Sequence, residues 1–362
     1  MRLVFANILI AAHCVIAGHG MFEPKIGAAQ SQFMPISGQL ASMATANTTH
    51  HWTPRAVKIK SGKESKIWPD KTIPYCFKND ESRDRLQVAL NQGMDTWHNN
   101  GLSKDFKLEP ASRDRCENDR ENVLEITYDP GSRMSTTNGK TPPGLISDGP
   151  SMTLSDDDSR GMLNFILNVA HEIGHAWGLL HEHQNPDLWP EEFGGNGGKT
   201  FGDEGNWVCS ALLDYKDTLK KIQDKIDKDP TGGGEAMYGS QRVTMCTDIR
   251  VARDLRFSAR DYLPLQGEHF TVGTTTGTEV DWDSIMLYPS GAGGKRDSEG
   301  KRMAALKKPN GDLIKVNTTP SQRDIDALNA LYGTEKKVDE TLLGKNKKFG
   351  GRFRNVFGGR KC

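Results

Sequence analysis

Apolar residues make up only 35% of this 362-residue chain, and aromatics 7%. Beyond the extreme N-terminus no run of about 20 apolar residues occurs, the length needed to cross a bilayer, so a polytopic membrane protein is excluded. Net charge is lacking too, with 47 Lys and Arg against 47 Asp and Glu. That zero hides an asymmetry: residues 1–67 carry +5, residues 333–362 carry +6, and the stretch between them carries −11. An acidic centre offers no positive face to phosphates, which argues against nucleic acid as a partner. Seven Trp and thirteen Phe, spread along the chain, argue against full disorder. The length suits two domains, or one domain with extensions.

Arg2 precedes an apolar run, Leu3 to Ala12, followed by small residues up to Gly20. A short basic start, an apolar stretch and a small-residue end read as a signal peptide over 1–20, with a buried strand or helix as the alternative. The product is then secreted and extracellular, with no stable membrane insertion. Residues 21–67 are polar and aperiodic and read as a pro-segment or flexible leader, with a glycosylation sequon at Asn47. A second sequon begins at Asn317. At the other end, 334–362 reads as a basic flexible tail ending in Cys362.

Beyond the leader five cysteines remain: Cys76, Cys116, Cys209, Cys246 and Cys362. In a secreted chain four can pair. Cys209 and Cys246 bracket a polar segment with an amphipathic helix and a Gly-rich stretch, where a bridge would restrict a long loop. Cys76–Cys116 is the pairing that remains, leaving Cys362 over.

Thr72–Phe77 reads as a strand, 81–98 as an amphipathic helix with its apolar positions at helical spacing, and Val123–Tyr128 and Ser151–Leu154 as further strands. A Gly/Pro/Ser-rich loop fills 129–150. Asp156 to Ser159 offer N-caps for a helix over 162–177, and a last helix lies near 321–331. Mixed early elements and an irregular second half indicate an α+β fold of two lobes.

The chemistry concentrates in His171-Glu172-Ile173-Gly174-His175-Ala176-Trp177-Gly178-Leu179-Leu180-His181. On a helix, His171 and His175 lie one turn apart and point the same way, so both imidazoles can hold one ion. Gly178 tolerates the left-handed backbone that ends the helix and turns the chain back. His181 then supplies a third nitrogen. Three protein ligands leave a position open on Zn²⁺, the arrangement of a catalytic rather than a structural site. Glu172 is placed to take a proton from the attacking water and pass it to the leaving amine. Such a set of offsets arises by accident on the order of once in ten thousand chains or fewer.

This stretch, with Glu182-His183 after it, resembles the zinc signature of the metzincin metalloproteases, and of the astacin family among them. Asp283-Ser284-Ile285-Met286-Leu287-Tyr288 resembles the family's Met-turn, Trp68–Tyr75 its opening and Ser321–Gly333 its closing helix. The resemblance implies a two-lobed catalytic domain over 68–333, insertion-rich at 190–280, with a twisted mixed sheet and an active-site helix. It implies an apolar floor at Met286, and Tyr288 as a fifth ligand that swings to steady the oxyanion. It also implies that Glu182 anchors a trimmed N-terminus, which family spacing puts near Lys58-Ile59. Residues 21–67 contain no Asp and no Cys, so latency through an aspartate on the metal is in doubt, with Glu23, Glu64, His50 and His51 as substitutes.

The reading is a zinc endopeptidase, expected to be monomeric, that takes a protein or peptide substrate as an extended strand along the sheet edge Ser151–Leu154. Lys295, Arg296, Lys301 and Arg302 could favour an acidic residue beyond the scissile bond. The rivals are a serralysin-like metzincin, whose calcium repeats are missing here, and a zinc-binding module without turnover, which needs neither Glu172 nor Tyr288.

Overall fold

The computed structural model describes residues 58–59, 67–131, 134–140, 149–156, 164–203, 205–266, 270–271 and 279–333. The expected signal peptide, most of the leader, the tail, Cys362, Asn47 and three of the four helix caps expected at 156–159 lie outside the described residues.

A short strand β1 (Lys58–Ile59) comes first, then β2 (Thr72–Phe77), α1 (Asp80–Asn99), β3 (Lys107–Pro110), α2 (Arg113–Asn118) and β4 (Leu124–Tyr128). There follow β5 (Ser135–Thr136), β6 (Ser151–Leu154) and α3 (Phe165–Ala176). Four helices, α4 (Tyr215–Asp227), α5 (Gly234–Tyr238), α6 (Gln241–Thr244) and α7 (Ile249–Asp254), precede β7 (Phe270–Thr271) and α8 (Gln322–Leu331). The main sheet has the order β3-β2-β4-β6-β5, parallel throughout except for β5, which runs antiparallel to β6. The fold is thus mixed α+β. β1 pairs antiparallel with β7, Lys58 opposite Thr271.

The sheet edge differs from the expected one. Ser151–Leu154 is paired on both sides, with β4 and with β5, so among the described residues the edge is the two-residue strand Ser135–Thr136. Two residues inside a Gly/Ser-rich loop carry no alternation to read, and only pairing with β6 makes them a strand. β3 and α2 escape sequence reading for a related reason: β3 is charged, largely exposed and ends in Pro, and α2 is too short to show a period.

Helix α3 is brought to the sheet by α1. A Cβ on Gly93 would lie 2.9 Å from Val169 Cγ1, so only glycine permits this close helix approach. Trp97 Nε1 donates to Ala170 O at 2.8 Å, tying the two helices across their buried faces. α3 is capped by Asn164, whose side chain accepts from Leu167 N, so its N-cap lies beyond the acidic run expected to supply it. Trp68 Nε1 donates to Ala176 O, and Tyr332 OH donates to Trp177 O, so both ends of 68–333 meet at the C-terminus of α3.

The second half is richer in helix than expected. α4 to α7 form a helical insertion in which Cys209 is bonded to Cys246, while Cys76 is bonded to Cys116 between β2 and α2. Insertion and sheet share one continuous apolar core.

Candidate metal centre

Helix α3 is apolar on nearly every side, and its last two turns carry His171, Glu172 and His175, all buried. Trp177 closes the helix and Gly178 follows at φ 103°. Gly178 N donates to His175 O, and Leu179 N donates to Gly174 O, the pair of bonds that satisfies the last carbonyls of a glycine-ended helix. This reversal returns His181 to the face occupied by the other two imidazoles.

The three Nε2 atoms converge. His181 Nε2 lies 3.1 Å from His171 Nε2 and 3.2 Å from His175 Nε2. His171 Nδ1 is 2.8 Å from Ile285 O and His175 Nδ1 is 2.8 Å from Leu179 O. A carbonyl can only accept, so both rings carry their proton on Nδ1 and turn an Nε2 lone pair inward. Lone pairs converging on one point repel each other unless a cation sits between them. Among the described residues His171, His175 and His181 form the group suited to an ion. Three buried imidazoles match the donor set of one catalytic zinc ion.

Glu172 is 3% exposed, and burial pushes its carboxyl up to about 8, while the neighbouring Thr136 hydroxyl acts the other way by favouring the ionised form. Thr136 belongs to β5, so the sheet edge reaches the proposed base. Gly139 N donates to His175 O, fixing the chain after β5 to α3.

Met286 packs against α3. A Cβ on Gly174 would lie 2.6 Å from its sulfur, so the thioether packs against the helix between His171 and His175. Tyr288 is 1% exposed and sits among rings, 4.2 Å from His181, 4.6 Å from His183 and 5.3 Å from Tyr262 between centroids. Glu182 donates its backbone N–H to Met286 O and accepts Asp281 N–H at Oε1. Burial raises its carboxyl to about 8, with the Asp281 and Asp324 charges adding to the effect.

Several contacts around the site carried no signal in the sequence. His183 Nε2–H donates to Asp261 O from the insertion at 2.9 Å, and Gln184 Nε2 donates to Arg260 O and Leu263 O. Asp324 accepts from Ser284 Oγ and Ile285 N, joining α8 to the Met-turn. An aspartate at the third position of a capped helix has a local explanation, so sequence alone does not point to this second task.

Asn317 is buried and its Nδ2 donates to Trp282 O and Ser284 O, so the atom a glycan would need is already engaged. The basic group after the Met-turn is largely spoken for: Lys295 Nζ donates to Ser210 O, Arg296 donates to Gly300 O, and Lys301 pairs with Glu299. Lys295 ties the loop to Ser210, and Arg296 and Lys301 bond within it.

No family model and no curated protein matches the chain. Solved structures to which it is similar include high choriolytic enzyme 1, a hatching enzyme zinc-protease from Oryzias latipes, the medaka fish. The TM-score is 0.42 and the identity 15%, over 76% of this chain and 98% of that one. Two structures of myroilysin follow, at TM-scores of 0.38 and 0.35 and identities of 16% and 17%. They match 76% and 75% of this chain, and 98% and 87% of theirs.

Proposed function

We propose that this chain is a secreted, astacin-like zinc endopeptidase. The observation that carries the reading is the convergence of three inward-turned Nε2 lone pairs beside one buried carboxylate, Glu172. An ion held there supplies Lewis acidity towards a carbonyl and lowers the pKa of water.

The chain's own residues supply the rest. Glu172 accepts the proton of the attacking water and returns it to the leaving amine. Its burial beside the three imidazoles keeps the carboxyl next to the point where water would attack, which suits this shuttle. Tyr288 keeps a phenol within reach of the ligand cluster, and an O–H donor of this kind stabilises a developing oxyanion. The open side of β5 gives an extended peptide a main-chain ladder close to Glu172, a mode of binding that needs no particular side chain. Met286 and Gly174 hold the floor, and Glu182 braces the Met-turn from the residue after His181.

Two disulfide bonds support an oxidising, extracellular destination, and among the described residues no helix is long and apolar enough to cross a membrane. A zinc-binding module without turnover would have no use for Glu172 or Tyr288 at these places. Zinc analysis of the purified protein together with cleavage of a denatured protein substrate, before and after Glu172→Ala, tests the reading. Zinc at one equivalent and cleavage abolished by the substitution are expected; cleavage that survives it sinks the proposal.

A further inference from the structure

The ligand His171 is tied to a carboxylate it never touches. Its Nδ1–H donates to Ile285 O at 2.8 Å. That carbonyl shares a peptide plane with Met286 N–H, which donates to Ser284 Oγ at 2.9 Å. Ser284 Oγ–H in turn donates to Asp324 Oδ1 at 2.6 Å. Every link runs in the same direction, from imidazole through one peptide and one hydroxyl to an acid.

We infer that Asp324 is a positioning residue for the metal ligand His171, acting through Ser284 and the Ile285–Met286 peptide; the inference rests on the zinc reading above. Bonds aligned head to tail polarise one another, and a chain that ends on a buried carboxylate is polarised most. His171, Ser284 and Asp324 are all buried, so water does not weaken the intermediate bonds. Withdrawal of the Met286 N–H toward Ser284 makes the Ile285 oxygen a stronger acceptor. The His171 Nδ1–H is then held more tightly, which fixes the ring and leaves Nε2 more electron-rich. Metal-ligating histidines often donate directly to a carboxylate for this purpose, and here the carboxylate acts two links further away.

Helix capping alone does not account for Asp324. Its Oδ2 completes the capping box by accepting from Ser321 N, and the same oxygen accepts from Ile285 N. The bond from Ser284 to Oδ1 is no part of the cap, and it is the bond that continues toward the ligand. His175, by contrast, donates to Leu179 O at the end of its own helix. The two helical ligands are therefore unequal, and His171 is the one governed from α8.

The test measures zinc affinity of the full chain by competition with a chromophoric chelator, and the chemical shift of the His171 Nδ1 proton in the metal-free protein. Ser284→Ala and Asp324→Asn are each expected to weaken zinc binding about tenfold. The double variant should lose no more than either single one, because both break the same chain. In the metal-free protein both should move the His171 Nδ1 proton upfield, a readout that stands even if the wild-type chain binds no zinc and the zinc reading itself fails. Asn317→Leu removes the bonds to Trp282 O and Ser284 O without breaking the relay, so it should lower the melting temperature and leave zinc affinity within about twofold. Ser284→Ala leaves the cap of α8 intact and keeps the test open if Asp324→Asn does not fold. Unchanged affinity and unchanged proton shift in a folded Ser284→Ala overturn the inference, as do additive losses or an equal loss in Asn317→Leu.

Discussion

Gly174 and Met286 compete for one volume. An ideal Cβ at residue 174 would lie 2.6 Å from Met286 Sδ and 3.1 Å from the Trp97 ring, so a helix glycine between two metal ligands is where the Met-turn docks. Glycine inside a helix ordinarily costs about 1 kcal/mol relative to alanine. Here the alanine methyl has nowhere to go. Gly174→Ala is expected to lower stability by about 1–3 kcal/mol through overpacking and to weaken zinc binding, because Met286 moves and Ile285 O moves with it. Urea denaturation and chelator competition check both effects.

Tyr288→Phe keeps the ring among His181, His183 and Tyr262 and removes only the hydroxyl. The expected result is a loss of roughly 10²-fold in kcat with KM nearly unchanged, the mark of a donor used in the transition state. An equal loss in KM would assign the hydroxyl to substrate binding instead.

Two buried acids give the fold a pH dependence of determinate sign. Burial raises Asp324 to about 6 and Glu182 to about 8, both above their values in an unfolded chain. The folded state therefore binds protons more tightly, and stability falls as pH rises through each window. For Asp324 the window runs from about 4 to about 6, and for Glu182 from about 4.5 to about 8. Relative to wild type, Asp324→Asn should flatten the decline in melting temperature of the metal-free protein below pH 6, and Glu182→Gln should flatten it up to pH 8. Thermal melts from pH 4 to 9 read this directly; unaltered slopes would contradict it.

The Cys209–Cys246 bond closes a loop with a sequence separation of 37 residues around α4, α5 and α6. Paired substitution by serine is expected to cost about 3–4 kcal/mol and to expose the insertion to proteolysis first. Limited proteolysis with mapping of the first cuts checks the order. The insertion also supplies Asp261 O to His183 and packs Tyr262 on Tyr288, so activity should fall with it.

Asn317 should carry no glycan in any host, since its amide nitrogen holds Trp282 O and Ser284 O. Mass measurement of a secreted eukaryotic preparation, with and without Asn317→Gln, should show the same carbohydrate content.

The order of residues alone determined the parts of this protein that are local. Histidines one helical turn apart, a glycine where the chain must reverse and alternation in β4 are all spelled out within a few neighbours. Helix α1 is equally legible, because its buried positions recur at helical spacing. Tertiary structure decided what depends on residues far apart in sequence. Ser135–Thr136 becomes the edge only by pairing with β6, and the Asn317 of the sequon is buried, donating to Trp282 O and Ser284 O. Asp324 becomes the end of a relay that starts more than 150 positions earlier, at His171. Local patterns report how a segment folds against any apolar surface. Which donor meets which acceptor depends on how distant segments pack, and that pairing determines how the ligands are held.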